Sequence, residues 1–147
     1  MRYKCMLLIG LTGGALFGQS VPISAPAPDQ LAFFDHFFSL LGDPTQSPDT
    51  LQSREQNAAL MFRFNQGEAS KLHILAQQYL AAALAFNQSV LATTENKAVL
   101  SDSERTNLQN LNLQREQLIA RLATNLLQEI SPASAARFLA LVAKGRP

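Results

Sequence analysis

Apolar residues along this chain recur at intervals of three and four, the spacing that lines one face of an α-helix. The first such pattern predicts a helix over 30–41, where Leu31, Phe34, Phe37, Phe38 and Leu41 share a face. Asp29 is expected to cap it, and Gly42 stops it before Asp43-Pro44. A second helix opens with Ser47 as cap and Pro48 in the first turn, then continues through Leu51, Ala58, Met61 and Phe62 to Gln66-Gly67. A long third helix is predicted over 68–93, with Leu72, Leu75, Tyr79, Ala82, Phe86 and Val90 as a bundle seam. Leu80, Leu84 and Leu91 widen that stripe, so this helix is expected to touch neighbours on two sides, with 81–83, all alanine, allowing a close approach.

Ser101 and Glu104 have the spacing of a capping box, in which the hydroxyl accepts an inner N–H and the carboxylate reaches back. The fourth helix then runs to about Glu129 with Leu108, Leu111, Leu118, Leu122 and Leu126 on one face. Ser131-Pro132 repeats the cap-then-proline start for a fifth helix that turns Ala135, Phe138, Leu139 and Val142 inward. No period-two alternation and no Asn-Gly or Asp-Gly hairpin signal occurs. The expected fold is therefore all-α: about five helices in a bundle, with a long central hairpin formed by the third and fourth across the loop 94–100.

Ahead of the helical region the pattern changes. Arg2 and Lys4 precede a mostly apolar run from Cys5 to Phe17, and Gly18 and Ser20 offer small residues for cleavage before Val21. This is the form of an export signal over 1–20, and the glycine-broken run falls short of the ~20 residues of a membrane span. Three prolines in 21–28 make that stretch a linker. The expected organisation is a leader (1–20), a linker (21–28), a helical domain (29–143) and a polar tail (144–147), in a periplasmic or secreted protein with no integral span after processing.

Processing changes the chemistry. Cys5 leaves with the leader, so disulfides, thiol nucleophiles and zinc–thiolate sites are excluded, and apolar packing must supply the stability. Loss of Arg2 and Lys4 leaves ten basic and eleven acidic side chains with no block of either sign. A nucleic-acid partner needs a basic stripe to displace counterions, and the chain has none. Only 16% of residues are charged, and much of the solvated surface is neutral amide, as at Gln109, Asn110, Asn112, Gln114 and Gln117. Such a surface steers charged partners poorly.

Candidate reactive groups are few. His36 and His73 lie on different predicted helices without the i, i+4 pairing of a helical metal motif, and both read as surface or boundary residues. Glu68 and Glu104 sit at helix starts, where capping and the helix dipole account for them. Arg115 interrupts the leucine seam, either as a stem that packs while its head reaches water or as a ligand-facing cation. Asn87-Gln88-Ser89 matches a glycosylation acceptor but falls inside a predicted helix. No nucleophile elbow, phosphate loop or dinucleotide fingerprint is present. No catalytic, metal or cofactor-binding residue is assigned, and no cofactor is expected.

The mature region resembles a group of small exported helical proteins of environmental bacteria. The likeness rests on the Phe-rich segment Phe33-Phe34-Asp35-His36-Phe37-Phe38, on Leu113-Gln114-Arg115-Glu116-Gln117-Leu118-Ile119, and on the closing Ala136-Arg137-Phe138-Leu139-Ala140-Leu141-Val142. That resemblance implies an exported helical bundle and carries over no functional residue. Leu100-Ser101-Asp102-Ser103-Glu104 is similar to the Leu-Thr-x-x-Gln helix starts of periplasmic chaperones of the Spy and CpxP type, with Ser for Thr and Glu for Gln. The strongly basic concave surface of those chaperones has no counterpart in this near-neutral chain.

The expected function is that of a non-catalytic binding or envelope structural protein, with room for a protein partner and no indication of oligomeric state. A chaperone that shields apolar client segments is the alternative. A third reading, a small enzyme, requires a pocket that joins His36 or His73 to two carboxylates.

Overall fold

The computed structural model describes residues 27–144 except Asn96. The expected export signal (1–20) and most of the expected linker and tail lie outside the described residues. The fold is all-α, with five helices in the order α1 (Pro28–Leu41), α2 (Pro48–Met61), α3 (Gln66–Thr94), α4 (Asp102–Glu129) and α5 (Pro132–Ala143), and no strand among the described residues. No helix among them is long and apolar enough to cross a membrane.

The caps explain most of the boundaries. Ser47, Ser101 and Ser131 each accept an N–H from three residues ahead, those of Thr50, Glu104 and Ser134 at 3.3 Å in every case. Proline fills the first helical position after Ser47 and Ser131, where its missing N–H costs nothing. One end and two starts differ from the sequence expectation: α2 stops at Met61 rather than at Gln66-Gly67, since Arg63 takes a positive φ of 53° and Asn65 already caps α3. α1 begins at Pro28, with Ala27 rather than Asp29 as cap, because the fixed φ of proline already suits the first turn; Gln30 accepts the Ala27 N–H at 3.0 Å. α3 begins two residues early at Gln66, since Asn65 forms a reciprocal capping box with Glu68, both bonds being 2.9 Å.

α3 and α4 form the most extensive helix pair, and α1 packs on both of them. The core gathers at one end of this long hairpin. Phe34, Phe38 and Phe138 are wholly buried, and Phe37 and Phe62 nearly so. Phe138 of α5 lies with its ring 4.5 Å from Phe62, 5.3 Å from Phe37 and 5.5 Å from Phe34, measured between centroids. The aromatic run of α1 is thus a core anchor, and α5 closes the phenylalanine cluster rather than covering the leucines of the hairpin.

The helix-stopping residue of α1 has a second task. Gly42 has φ −125°, which any residue tolerates, yet a Cβ there would lie 2.8 Å from Cδ1 of Tyr79, 3.0 Å from the Leu80 nitrogen and 3.1 Å from the Ala76 oxygen. The absent side chain lets the chain turn directly against α3. Gly42→Ala is therefore expected to lower the unfolding free energy by about 1–3 kcal/mol, as overpacking does. Urea titration measures this directly, and stability equal to the parent's would show that the contact yields.

Away from the core the hairpin becomes an arm. Between Tyr79 on α3 and Ile119 on α4, Thr93 is the single buried side chain among the described residues. Fifteen residues of α3 beyond Tyr79 extend the pair by roughly 20 Å. At its tip, Lys97 and the Ser101 backbone N–H bind the Glu104 carboxylate and hold its pKa near 2.

Candidate functional site

Two grooves flank α3, and the first follows from where a neighbouring helix stops. α1 ends at Leu41 while α3 and α4 continue, so the third position of a three-helix arrangement is left open beyond Gly42. The resulting groove of about 590 Å³ is walled by Ala83, Phe86 and Val90 of α3 and by Leu108 and Leu111 of α4. These are the seam residues of the amphipathic pattern, here only half covered by each other. Along the arm the apolar walls are bordered by Asn87 and Asn112, and where the arm meets the core the groove ends on charged and hydroxyl groups.

That polar end is a network joining three helices. The Arg115 guanidinium donates to the Asp35 carboxylate of α1 and, at 3.5 Å, to the Tyr79 hydroxyl of α3. Ser39 and Tyr79 share a hydroxyl–hydroxyl bond of 2.8 Å. Burial opposes the Arg115 charge, but the Tyr79 bond and the Asp35 carboxylate outweigh it and raise its pKa above the ordinary arginine value. Arg115 therefore spans α4 and α1 as an ion-paired crosslink. Its side chain is 38% exposed, in keeping with a packed stem whose head meets solvent, and the head is paired with Asp35 rather than left as an unpaired cation.

The second groove, about 750 Å³, runs between α2 and α3. Leu51, Ala59, Leu80 and Leu84 supply its apolar surface and Gln52 and Gln77 part of its rim. Within it the Nδ1 of His73 lies 2.6 Å from Oε2 of Glu55. Glu55 is buried, and its Oε1 has no hydrogen-bond partner. His73 is a surface residue, as its spacing suggests, but it is also the partner of a buried carboxylate eighteen residues away. Nothing in the local pattern marks Glu55, which sits in an amphipathic helix among other polar residues.

The arrangement limits the chemistry. His73 meets one carboxylate, whereas acid–base or hydrolytic work through this pocket needs a second acid or a nucleophile placed at the free ring nitrogen. His36 is exposed and borders a small apolar cleft between α1 and α2, while the neighbouring Asp35 turns to Arg115. No group of three or more His, Cys, Asp or Glu that could hold a metal ion occurs among the described residues. Asn87 lines the first groove and Ser89 bonds back to the Ala85 carbonyl at 2.9 Å inside α3, so the glycosylation triplet lies in regular helix.

Glu68 is a buried carboxylate held by groups from two helix starts. Burial alone would raise its pKa, but the backbone N–H groups of Ser131 (2.7 Å) and Asn65 (2.9 Å) and the Ser134 hydroxyl (3.1 Å) lower it to about 2. One carboxylate thus caps α3 and ties in the start of α5. It is a structural clasp with its acceptor sites filled. No family model, no curated protein and no solved structure matches this chain.

Proposed function

We propose that this is an exported, non-catalytic binding protein whose α3–α4 arm receives an apolar helical segment of a protein partner. The observation that carries this reading is the groove beyond the end of α1, where Phe86, Val90, Leu108 and Leu111 form a seam with the next helix position open. A partner helix laid there would extend the line of α1 and bury apolar area worth about 25 cal/mol per Å². The polar end at Arg115, Asp35 and Tyr79 would set how far it can enter. With Arg115 neutralised by Asp35, recognition rests on shape and apolar contact rather than on charge.

Site-directed photocrosslinking in the native envelope fraction tests this. A photoreactive residue in place of Leu111 should yield a discrete adduct, and one in place of the exposed Gln128 on the core end of α4 should not. Phe86→Ser should lower the Leu111 adduct yield by about tenfold or more, the effect of losing one well-placed anchor. Equal adducts from both positions would remove the proposal.

A chaperone-like reading is supported by a separate observation: Leu84, Val90, Leu91 and Leu113 are all exposed on the arm. A shield for unfolding clients would use these side chains without a fixed groove. It predicts suppression of aggregation of reduced, unfolding lysozyme near equimolar ratio, and no suppression would eliminate it.

A further inference from the structure

The outer face of α3, turned away from α1 and α4, carries no charge over most of its length. From Leu72 to Thr94 the chain has no Asp, Glu, Lys or Arg, although Gln77, Ala81 and Gln88 on this face meet solvent. Leu84 and Leu91, seven residues apart and so on one stripe, are 46% and 61% exposed. The sequence pattern expects a neighbour for these leucines, and among the described residues none covers them fully, since α5 packs at the phenylalanine cluster. A leucine stripe flanked by alanine and glutamine is suited to another helix and poorly suited to water. Towards the core this stripe runs into the groove between α2 and α3, where Leu80 and Leu84 form part of the wall.

We propose that a second copy of this chain covers this face, with the two α3 helices antiparallel about a two-fold axis at Leu84. That register sets Leu84 against its own copy, Leu91 of each helix level with Gln77 of the other, and Glu95 level with His73. Each match is complementary. Leu91 enters the apolar groove beside Leu80. Glu95 brings a carboxylate to a histidine whose Nδ1 is already taken by Glu55 and whose side chain is otherwise 57% exposed. α2 flanks only the first half of α3, from Ala69 to Leu84, so the α2 helices of the two copies fall in tandem without collision. Apart from Glu95, which comes to the His73 already paired with Glu55, the facing stretch from Leu72 to Thr94 holds no Asp, Glu, Lys or Arg, so within it the symmetry sets no like charges against each other.

The size is sufficient for a reversible dimer. The symmetric overlap from His73 to Glu95 is about 33 Å long, and with the flanking part of α2 the contact is roughly 500 Å² per copy. The total of about 1,000 Å² lies in the size range of weak, reversible interfaces.

Sedimentation equilibrium of the protein between about 1 and about 100 µM should fit a monomer–dimer exchange. Leu91→Lys should weaken it by about tenfold or more, with helical circular dichroism and melting temperature unchanged because Leu91 is exposed. In a Cys5→Ser background, Leu84→Cys should give a disulfide-linked dimer on mild oxidation, since the two-fold brings the two sulfurs together. Leu113→Cys, at an exposed position on α4, should not. A protein that stays monomeric at about 100 µM, undiminished dimerisation of Leu91→Lys, or equal crosslinking by the two cysteine variants would overturn the proposal.

Discussion

Replacing Phe138 by alanine should destabilise the protein by about 4 kcal/mol, the middle of the range for a buried aromatic ring. The ring is wholly buried and sits 4.5 to 5.7 Å, between centroids, from Phe62, Phe37, Phe34 and Phe33. Its removal takes away both the transferred area and the edge-to-face contacts that the α1 phenylalanines make with it. α5 is short, and its anchor to the rest of the fold is this side chain together with Val142 and Ser134. Truncation should therefore release α5 before the rest unfolds, so its amides should lose hydrogen-exchange protection while those of α3 near Leu72 keep theirs. Phe33→Ala, at a half-buried position of the same cluster, should cost clearly less. Equal losses for the two variants would show that the cluster has no single centre.

The second large effect is expected at Glu68. Glu68→Gln keeps the shape but replaces one accepting oxygen by an NH₂ group, so at least one of the N–H groups of Ser131 and Asn65 faces a donor. A loss of about 3 kcal/mol at neutral pH follows from hydrogen bonds to a charged, buried acceptor. The pH dependence has a definite sign. The folded-state pKa of about 2 lies below the ordinary value of 4.5, so the folded protein holds this proton less tightly than the unfolded chain does. The stabilisation is complete above pH 4.5 and is lost as the pH falls towards 2. Urea unfolding of the parent and of Glu68→Gln at pH 7 and at pH 3 should show the gap between them narrowing in acid. A gap that stays constant across that interval would show that the charge of Glu68 contributes nothing to the clasp.

These two positions differ in how far the sequence reveals them. Phe138 belongs to an amphipathic period, and its inward orientation is legible from Ala135, Leu139 and Val142 around it. Glu68 is legible only in part. Its place at a helix start identifies it as a cap, but its bonds to Ser131 and Ser134 join residues 63 and 66 positions apart. Arg115 and Asp35 are separated by 80 positions, and their pairing turns an ambiguous seam arginine into a crosslink between α4 and α1. Glu55 gives no local signal at all, and only the packing of α2 on α3 brings it to His73. The same long-range packing leaves Leu84 and Leu91 uncovered, although their spacing resembles that of the buried leucines.

The class of fold, the number of helices and the serine-capped starts of α2, α4 and α5 are legible in local pattern alone, because they depend on interactions within four residues: apolar periodicity, serine caps, and proline in the first turn. The tertiary structure decided which apolar stripes are covered and which face water, where the grooves open, and which charges meet. Each of those depends on the direction in which a helix leaves its turn and on the point at which its neighbour stops, and the free energy that selects among them is spread over contacts between residues distant in the chain. The bundle is thus readable from local chemistry, while the arm, its open groove and the α3 face follow from α1 ending at Gly42 and α5 folding back onto the phenylalanines.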